Sequence, residues 1–238
     1  MEDTTMNASP IQAVIFDVDG TLYQTEKVAV PAFRSAFQYM QEAGHYRGPI
    51  PSEDIIISCF GMTIPEVWET LLPDASMDIR DQANERVAQL EISLMEQGQG
   101  ELYKGVKETL QSLSEQGIRL YTASNGEKRY VESVVETTGI ASYFTKLFTA
   151  GEYKTKKKED LVQLVLDHAG ITNRNAVMVG DRKSDIIAGR ANNLLTIGCD
   201  FGFAGQNELV EATVIIHSFS DVLPSLQKLR QLLTQKVK

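Results

Sequence analysis

Short apolar runs alternate with segments of helical period along most of this sequence. The runs are rich in β-branched and aromatic residues, as strands are, and they cover residues 11–16, 118–123, 146–150, 176–180 and 194–198. Between the later runs, apolar residues recur at helical spacing in segments such as VKETLQSLSEQG and EDLVQLVLDHAG, each ending at a glycine suited to a helix C-cap. Strands that alternate with helices of this length predict an open α/β fold, with a largely parallel sheet covered on both faces.

The segment between the first and second predicted strands departs from this alternation. Its first stretch, VAVPAFRSAFQYMQEAG, places four apolar side chains on one helical face: Val30, Phe33, Phe37 and Met40. Three later stretches, SEDIIISCFG, TIPEVWETLL and MDIRDQANERVAQLEISLMEQG, also have helical patterns, and none of them has a strand pattern. We therefore predict an all-helical domain over residues 24–98, inserted into an α/β core that comprises residues 1–23 and 99–238.

Composition and charge narrow the range of partners and locations. The chain has 238 residues and a net charge of −9, which disfavours a broad basic surface for a nucleic acid polymer or an anionic membrane. No apolar run approaches the roughly 18 residues of a membrane-spanning helix, and the first ten residues are acidic and polar rather than those of a signal peptide. Cys59 and Cys199 are the only cysteines and form no CxxC-like pattern. We expect a cytoplasmic protein, in which any bound phosphate needs a local positive charge or a cation.

Acidic and polar side chains follow three of the predicted strands. They are Asp17, Asp19, Ser124, Asn125, Asp181 and Asp185. Because the carboxyl ends of parallel strands meet at one edge of a sheet, we expect these side chains to lie close together there. Gly20 allows the loop after the first strand to turn tightly, so that its backbone N–H groups and the Ser124 hydroxyl can meet an anion. Neighbouring carboxylates need a counter-charge, and Mg²⁺, which takes oxygen ligands, supplies it.

Each of these short motifs is weak by itself. A lone DxD is most often a turn or a helix N-cap, Asp181 alone could cap the next helix, and SNG alone is typical of a turn. Their shared position at the ends of predicted strands is what favours a site over these structural interpretations.

The motifs DVDGTL, SN, a lysine that opens a helix, and GDRKSD resemble, in order and spacing, the four motifs of the haloacid dehalogenase (HAD) superfamily. The resemblance covers nearly the whole chain, and the C-terminal run from MVGDRKSD to GQNEL is most similar to the phosphoglycolate phosphatase-like branch. It implies a HAD-like Rossmannoid core of three α/β/α layers, with the inserted helical domain acting as a C1 cap over the active site.

The resemblance also implies a role for each residue at the strand ends. Asp17 is expected to attack phosphorus and form an aspartyl-phosphate, and Asp19 to act as general acid and then as general base. An acid at that second position favours a phosphatase or a phosphomutase, because similar dehalogenases lack it and P-type ATPases carry threonine there. Mg²⁺ is expected on the Asp17 side chain, the Asp19 carbonyl and Asp181. Asp185 is expected to bind the metal through water or to anchor the site, and Ser124 to bind a phosphoryl oxygen.

Two positions in the basic run KTKKK compete for the lysine of the third motif. The spacing to the next glycine selects Lys156, whereas the pattern KEDLV selects Lys158; we favour Lys158 and keep Lys156 as a substrate contact.

In the cap, the stretch CFGMTIPEVW resembles a loop that faces the active site, which makes Thr63 a substrate neighbour beside Met62. Met62 and Trp68 fit the core of the cap equally well.

Together these residues favour a Mg²⁺-dependent phosphatase that hydrolyses a small phosphorylated metabolite such as phosphoglycolate, a sugar phosphate or a nucleotide, with Gly20 and Asn125 among its substrate contacts. A sugar phosphomutase of the β-phosphoglucomutase type is the alternative enzyme, although such relatives usually carry Glu-Asp where this chain has Gly180 and Asp181. A catalytically silent protein that binds phosphate esters is the non-enzymatic alternative. Many relatives carry an acid at the position of Gln24, so the sequence leaves the substrate open. We expect a monomer or a weak homodimer.

Overall fold

Six parallel strands form one sheet in the computed structural model, which describes residues 11–235. Residues 1–10, where the sequence predicts no signal peptide, and residues 236–238, assigned to the core, lie outside the described residues. The strands are β1 (Ala13–Phe16), β2 (Arg119–Thr122), β3 (Phe144–Lys146), β4 (Ala176–Gly180), β5 (Leu195–Cys199) and β6 (Val214–Ile216). They lie in the order β3-β2-β1-β4-β5-β6, so β1 is flanked by β2 and β4 at the centre of the sheet.

Helices cover both faces of this sheet, which confirms the predicted α/β fold. Along β1 the side chains alternate, so Val14 and Phe16 enter a core on one face while Ala13 and Ile15 enter a core on the other. Within the described residues the α-helices are α1 (Glu26–Glu42), α2 (Glu53–Ser58), α3 (Ile64–Leu71), α4 (Met77–Glu96), α5 (Val106–Glu115), α6 (Lys128–Thr137), α7 (Ala150–Tyr153), α8 (Lys158–Ala169), α9 (Lys183–Ala191) and α10 (Val222–Gln235). Helices α5, α6 and α10 complete the first core, and α8 and α9 complete the second.

The interval between β1 and β2 is filled by α1 to α4, and the structure describes no strand within it. The apolar side chains of these helices form a separate core, in which Phe33 stacks on Trp68 with ring centroids 5.4 Å apart. The Trp68 indole N–H donates to Asn84 Oδ1 at 3.0 Å, so this side chain is committed to the core of the cap. The predicted all-helical cap is confirmed, and its boundaries at residues 24 and 98 stay a prediction.

Two strands differ from the sequence prediction. The predicted strand at residues 146–150 is misplaced, because β3 ends at Lys146 and the chain then turns into α7. Thr149 caps α7 by accepting a hydrogen bond from Glu152 N at 3.1 Å, and the preceding Phe148 is buried outside the sheet ladder, which explains the strand-like pattern. The sequence gives no signal for β6, because it is three residues long and only its last residue is buried.

Two adjacent backbone segments connect the cap to the core. Gln24 N donates to Glu101 O at 2.9 Å, Tyr103 N donates to Leu22 O at 3.0 Å, and the Gln24 side chain donates to Leu102 O at 2.9 Å. Gln24, which stands where many relatives carry an acid, therefore joins the chain entering the cap to the chain leaving it.

Within residues 11–235 none of the helices combines the length and the apolar character needed to cross a membrane.

Candidate active site

The carboxyl ends of β1 and β4 bring three aspartates together, as the sequence predicts for a parallel sheet. Asp17 follows β1, Asp181 follows β4, and Asp185 lies in the first turn of α9. All three are buried, and each offers a carboxylate oxygen so that the three atoms lie within 4.8 Å of one another. Two strands and one helix thus position one cluster of buried carboxylates, which we call the acidic cluster (Asp17, Asp181 and Asp185).

Lys158 opens α8 and enters this cluster, whereas Lys156 is exposed. The Lys158 ammonium donates to Asp17 Oδ1 at 2.7 Å and to Asp185 Oδ1 at 2.6 Å, and the residue is only 3% exposed. Burial lowers the pKa of this ammonium, but the charges of the two carboxylates outweigh burial and raise the pKa above its ordinary value. Lys158 therefore stays charged and holds both carboxylates in place.

Asp19 lies two residues beyond Asp17 and has different partners. Its Oδ1 accepts hydrogen bonds from Thr25 Oγ1 at 2.6 Å and from the Tyr130 hydroxyl at 2.5 Å. Burial raises the pKa of Asp19, and the hydrogen bonds from Thr25 and Tyr130 partly oppose that rise. A raised pKa suits a carboxyl group that must hold a proton before releasing it to a leaving group. No sequence signal selects Tyr130, because it lies more than a hundred residues beyond Asp19 along the chain.

The loop after β1 packs directly against Asp181. Asp181 accepts hydrogen bonds from Thr21 Oγ1 at 3.2 Å and from Phe203 N at 2.7 Å. Gly20 has φ +78°, and a Cβ at this position would overlap the Asp181 carboxylate, so both the turn and the close approach require glycine. Burial, reinforced by the charge of Asp185, raises the pKa of Asp181 to about 7.

Ser124 and Asn125 follow β2 at the same sheet edge. Ser124 is fully buried, and its Oγ accepts a hydrogen bond from Gly126 N at 3.0 Å. The Asn125 side chain donates to Gly61 O in the cap at 2.8 Å, so it joins the core to the cap loop. Thr63 caps α3, and its hydroxyl and backbone N–H both bond to Glu66 Oε2, at 2.7 and 2.8 Å.

Two cavities adjoin the acidic cluster. The cap cavity has a volume of about 100 Å³, and Asp17 and Asp19 form its floor beneath side chains of α1, the loop at residues 59–62 and α4. The second cavity, which we call the basic cleft, shares residues 60–62 of this loop and also includes Lys156 and Thr63. The structure thus places these two predicted substrate contacts in the basic cleft and outside the lining of the cap cavity.

The cap cavity also contains Glu91, a buried acid of α4 that the sequence prediction did not include. Its position follows from packing, because α4 turns this residue inward together with Val87 and Met95. An isolated glutamate in a helix rich in polar residues carries no sequence signal that separates it from its exposed neighbours. Only the packing of α4 over the core identifies it.

The acidic cluster fits a hard divalent cation. Its donors are carboxylate oxygens, the ligands that Mg²⁺ prefers, and the Lys158 ammonium balances only part of their charge. Burial raises the pKa of Asp17 well above its usual range; the Lys158 charge opposes that rise and the Asp185 charge adds to it. Asp185 Oδ2 accepts from Arg182 N at 2.9 Å while Oδ1 binds Lys158, which favours Asp185 as an anchor over a direct ligand.

Comparisons with known proteins agree with this geometry. The sequence profile of the haloacid dehalogenase-like hydrolases matches residues 14–199. The pyrophosphatase PpaX of Bacillus pumilus (strain SAFR-032) is 27% identical over 222 residues, which cover 92% of this chain and 97% of that protein. The phosphoglycolate phosphatase of Shigella sonnei (strain Ss046) is 27% identical over 240 residues, which cover 91% of this chain and 92% of that protein. The β-phosphoglucomutase structure from Clostridium difficile shares the fold, with a TM-score of 0.79 at 18% identity over 96% of this chain and 100% of that chain.

Proposed function

The chain belongs to the haloacid dehalogenase-like hydrolase family and is a phosphatase, and on that premise we propose that it hydrolyses a small phosphate monoester through an aspartyl-phosphate on Asp17. The observation that carries the proposal is the pairing of two aspartates with different surroundings, Asp17 buried and Asp19 partly buried. Asp17 is bound to a charged lysine, and Asp19 is bound to two hydroxyl groups. One carboxylate is suited to attack, and the other is suited to move protons.

In the first half-reaction, Asp17 forms a bond to phosphorus while the bond between phosphorus and the ester oxygen breaks. Asp19 gives its proton to that oxygen, so the leaving group departs as a neutral hydroxyl. Lys158 orients the Asp17 carboxylate through Oδ1, which leaves Oδ2 for the attack. The Ser124 hydroxyl lies at the same sheet edge and is the proposed donor to a phosphoryl oxygen.

In the second half-reaction, Asp19 takes a proton from water, and the water oxygen bonds to phosphorus as the aspartyl-phosphate bond breaks. Inorganic phosphate leaves, and both aspartates return to their starting states. Asp17, the Asp19 carbonyl and Asp181 would hold the proposed Mg²⁺, which would supply positive charge to stabilise the phosphoryl oxygens. Asp185 accepts hydrogen bonds from Lys158 and from Arg182 N, and so holds Lys158 and the start of α9 in place beside these ligands.

The proposed substrate is a small phosphorylated metabolite, a class that includes phosphoglycolate, sugar phosphates and nucleotides. The proposal also includes a cytoplasmic location and a monomer or weak homodimer. The buried Cys59 and Cys199 thiols are both free, which is compatible with a reducing compartment. Size-exclusion chromatography with light scattering checks the oligomeric state.

The mutase alternative loses support at Gly180. A Cβ at this position would overlap the Asp185 carboxyl group, so the glutamate usual in β-phosphoglucomutase-type relatives does not fit here without moving Asp185. Bisphosphate-dependent interconversion of hexose phosphates, with little release of inorganic phosphate, would reverse this ranking.

Hydrolysis of p-nitrophenyl phosphate with Mg²⁺ tests the proposal. We expect Asp17→Asn to lower kcat by about 10⁴-fold or more, because the nucleophile is lost. Asp160→Asn, the same substitution at an exposed acid of α8, is the matched control and should retain wild-type turnover. A phosphoryl group should also be trapped on wild-type protein by rapid acid quench, and be missing from Asp17→Asn. Undiminished turnover by Asp17→Asn would contradict the mechanism.

A further inference from the structure

The cap cavity and the basic cleft differ sharply in charge, although they share the cap loop at residues 60–62. None of the described residues that line the cap cavity is a lysine, an arginine or a histidine. The basic cleft, in contrast, is lined by Lys156, Lys157, Lys158, Arg182 and Lys183. A second anionic group of a substrate therefore finds no cationic side chain inside the cap cavity.

Most polar side chains of the cap cavity already have protein partners. The Thr25 and Tyr130 hydroxyls donate to Asp19, and the Asn125 amide donates to the cap loop. Asn84 accepts a hydrogen bond from the Trp68 indole. These groups hold the cavity in shape.

Glu91 is the exception among the buried side chains of the cap cavity. It is 9% exposed, and the described residues provide no hydrogen bond or ion pair to its carboxyl group. Burial, reinforced by the charge of Asp19, raises its pKa to about 8. A buried carboxyl group without a partner is unfavourable, and a ligand that supplies a hydrogen-bond donor relieves that cost.

Apart from the exposed Glu127, the remaining wall of the cap cavity is apolar. It is formed by side chains of α1, α3, α4 and the loop between α2 and α3: Phe33, Phe60, Met62, Ile64, Val67 and Val87. Such a wall favours contact with the carbon atoms of a ligand and offers nothing to a carboxylate or a phosphate.

Asp17 and Asp19 form the floor of this cavity, so a phosphate ester bound at Asp17 extends its leaving group past Asp19 into the cap cavity. We propose that Glu91 selects the leaving group: a small carbon frame that carries a hydroxyl or ammonium donor and no second anion. This inference rests on the proposed phosphatase function and narrows its substrate class. Phosphoglycolate and pyrophosphate, named for two relatives, would each bring a second anion into a cavity that offers no cationic side chain to pair with it, which disfavours both as substrates here.

Four two-carbon phosphate esters that differ only at the far end test this selection. They are 2-hydroxyethyl phosphate, phosphoethanolamine, ethyl phosphate and phosphoglycolate. We expect kcat/KM for the hydroxyl and ammonium esters to exceed that for phosphoglycolate by at least about tenfold, with ethyl phosphate between them. Equal values for all four esters, or a preference for phosphoglycolate, would overturn the inference.

A lysine at position 91, which introduces a cation into the cap cavity, assigns the selection to this residue. We expect Glu91→Lys to invert the order, so that phosphoglycolate becomes better than phosphoethanolamine, because the cavity gains a cation. Glu96→Lys, the same substitution at an exposed position of α4, is the matched control and should keep the wild-type order. If Glu91→Lys does not fold, Glu91→Gln, which keeps the shape, should reduce the ratio of phosphoethanolamine to phosphoglycolate by at least about fivefold. An unchanged ratio in both variants would overturn the role of Glu91.

The two proposals fail in different ways. Loss of p-nitrophenyl phosphate turnover in Asp17→Asn supports the phosphatase mechanism whatever the leaving-group preference is. Wild-type protein that hydrolyses p-nitrophenyl phosphate through Asp17 but prefers phosphoglycolate contradicts only the inference about Glu91. Wild-type protein that hydrolyses none of these esters contradicts the proposed function itself.

Discussion

The acidic cluster and the cap cavity lie side by side and are built in opposite ways. In the acidic cluster every carboxylate has a protein partner: Lys158 binds two of them, and Phe203 N and Thr21 bind the third. In the cap cavity the wall above Asp17 and Asp19 is largely apolar, and its one buried carboxyl group, that of Glu91, has no hydrogen-bond partner among the described residues. The first arrangement holds the reacting groups in place, and the second leaves one carboxyl group for which a ligand can supply the hydrogen-bond donor.

This difference assigns the catalytic reaction to the acidic cluster and the selection of the substrate to the cap cavity. A network in which each buried charge is paired is costly to alter, because removing one member leaves another buried and unpaired. An apolar wall with one polar group tolerates change, and each change alters which ligand fits. Substitutions in the two regions should therefore differ in the size and in the kind of their effects.

The largest effect is expected from Lys158→Met. This change leaves Asp17 and Asp185 buried without their cation, so we expect the free energy of unfolding to fall by about 3 to 5 kcal/mol and turnover to be lost. Lys157→Met, the same substitution at an exposed neighbour, should change stability by no more than about 0.5 kcal/mol. Thermal or denaturant unfolding and a p-nitrophenyl phosphate assay measure both quantities.

Lys156→Met belongs to the same experiment, because the sequence offered Lys156 as the competing lysine. We expect a smaller effect on kcat than in Lys158→Met, since Lys156 is exposed and lies in the basic cleft. A loss of kcat in Lys156→Met that matches the loss in Lys158→Met would remove the distinction between the two lysines.

Removal of Mg²⁺ is expected to act on the acidic cluster and spare the cap cavity. Chelation with EDTA should abolish turnover, and added Mg²⁺ should restore it. Mg²⁺ should also raise the melting temperature, since a ligand at 100 times its Kd stabilises the folded state by about 2.7 kcal/mol. Asp181→Asn should lose most of that thermal shift, whereas Glu91→Gln should keep it. Full activity after exhaustive chelation would remove the metal from the mechanism.

The smallest effect is expected from Asn125→Ala, at the hydrogen bond that joins the two regions. Loss of the bond to Gly61 O should cost about 0.5 to 1.5 kcal/mol of stability. Because the change loosens the cap loop and leaves Asp17 and Asp19 untouched, we expect KM to rise more than kcat falls. Steady-state kinetics with p-nitrophenyl phosphate separate the two. A fall in kcat as large as in Asp17→Asn would place Asn125 in the chemistry rather than in cap positioning.

The sequence could predict the acidic cluster because strand ends in a parallel sheet have fixed neighbours. Asp17 and Asp181 each follow a recognisable strand, so their approach needs no knowledge of side-chain packing. Lys158 was harder, because four lysines in KTKKK look alike and only the start of α8 turns one of them inward. The fold was predictable for the same reason, apart from β6, which is too short to leave a pattern.

The cap cavity could not be predicted in this way. Glu91 and Tyr130 become relevant only when α4 and α6 pack over the loop after β1, and no local spacing encodes that packing. Thr63 is a different case: its loop does approach the core, but its hydroxyl is bound to Glu66 and the residue lines the basic cleft, so its contact with substrate stays a prediction. Helical periodicity identifies which face of a helix is buried, and it does not say what that face will meet.

The paired segments at Leu22–Gln24 and Glu101–Tyr103 have a consequence for how such a molecule can be rebuilt. The polypeptide leaves the sheet and returns to it at neighbouring points that are tied together by backbone hydrogen bonds. An insertion with adjacent ends can be cut out and replaced without rethreading the strands around it. Helices α1 to α4 thus form an insertion that can be exchanged as a unit. Moving this insertion into the core of a related protein would transfer its substrate preference, while the recipient kept its own nucleophile.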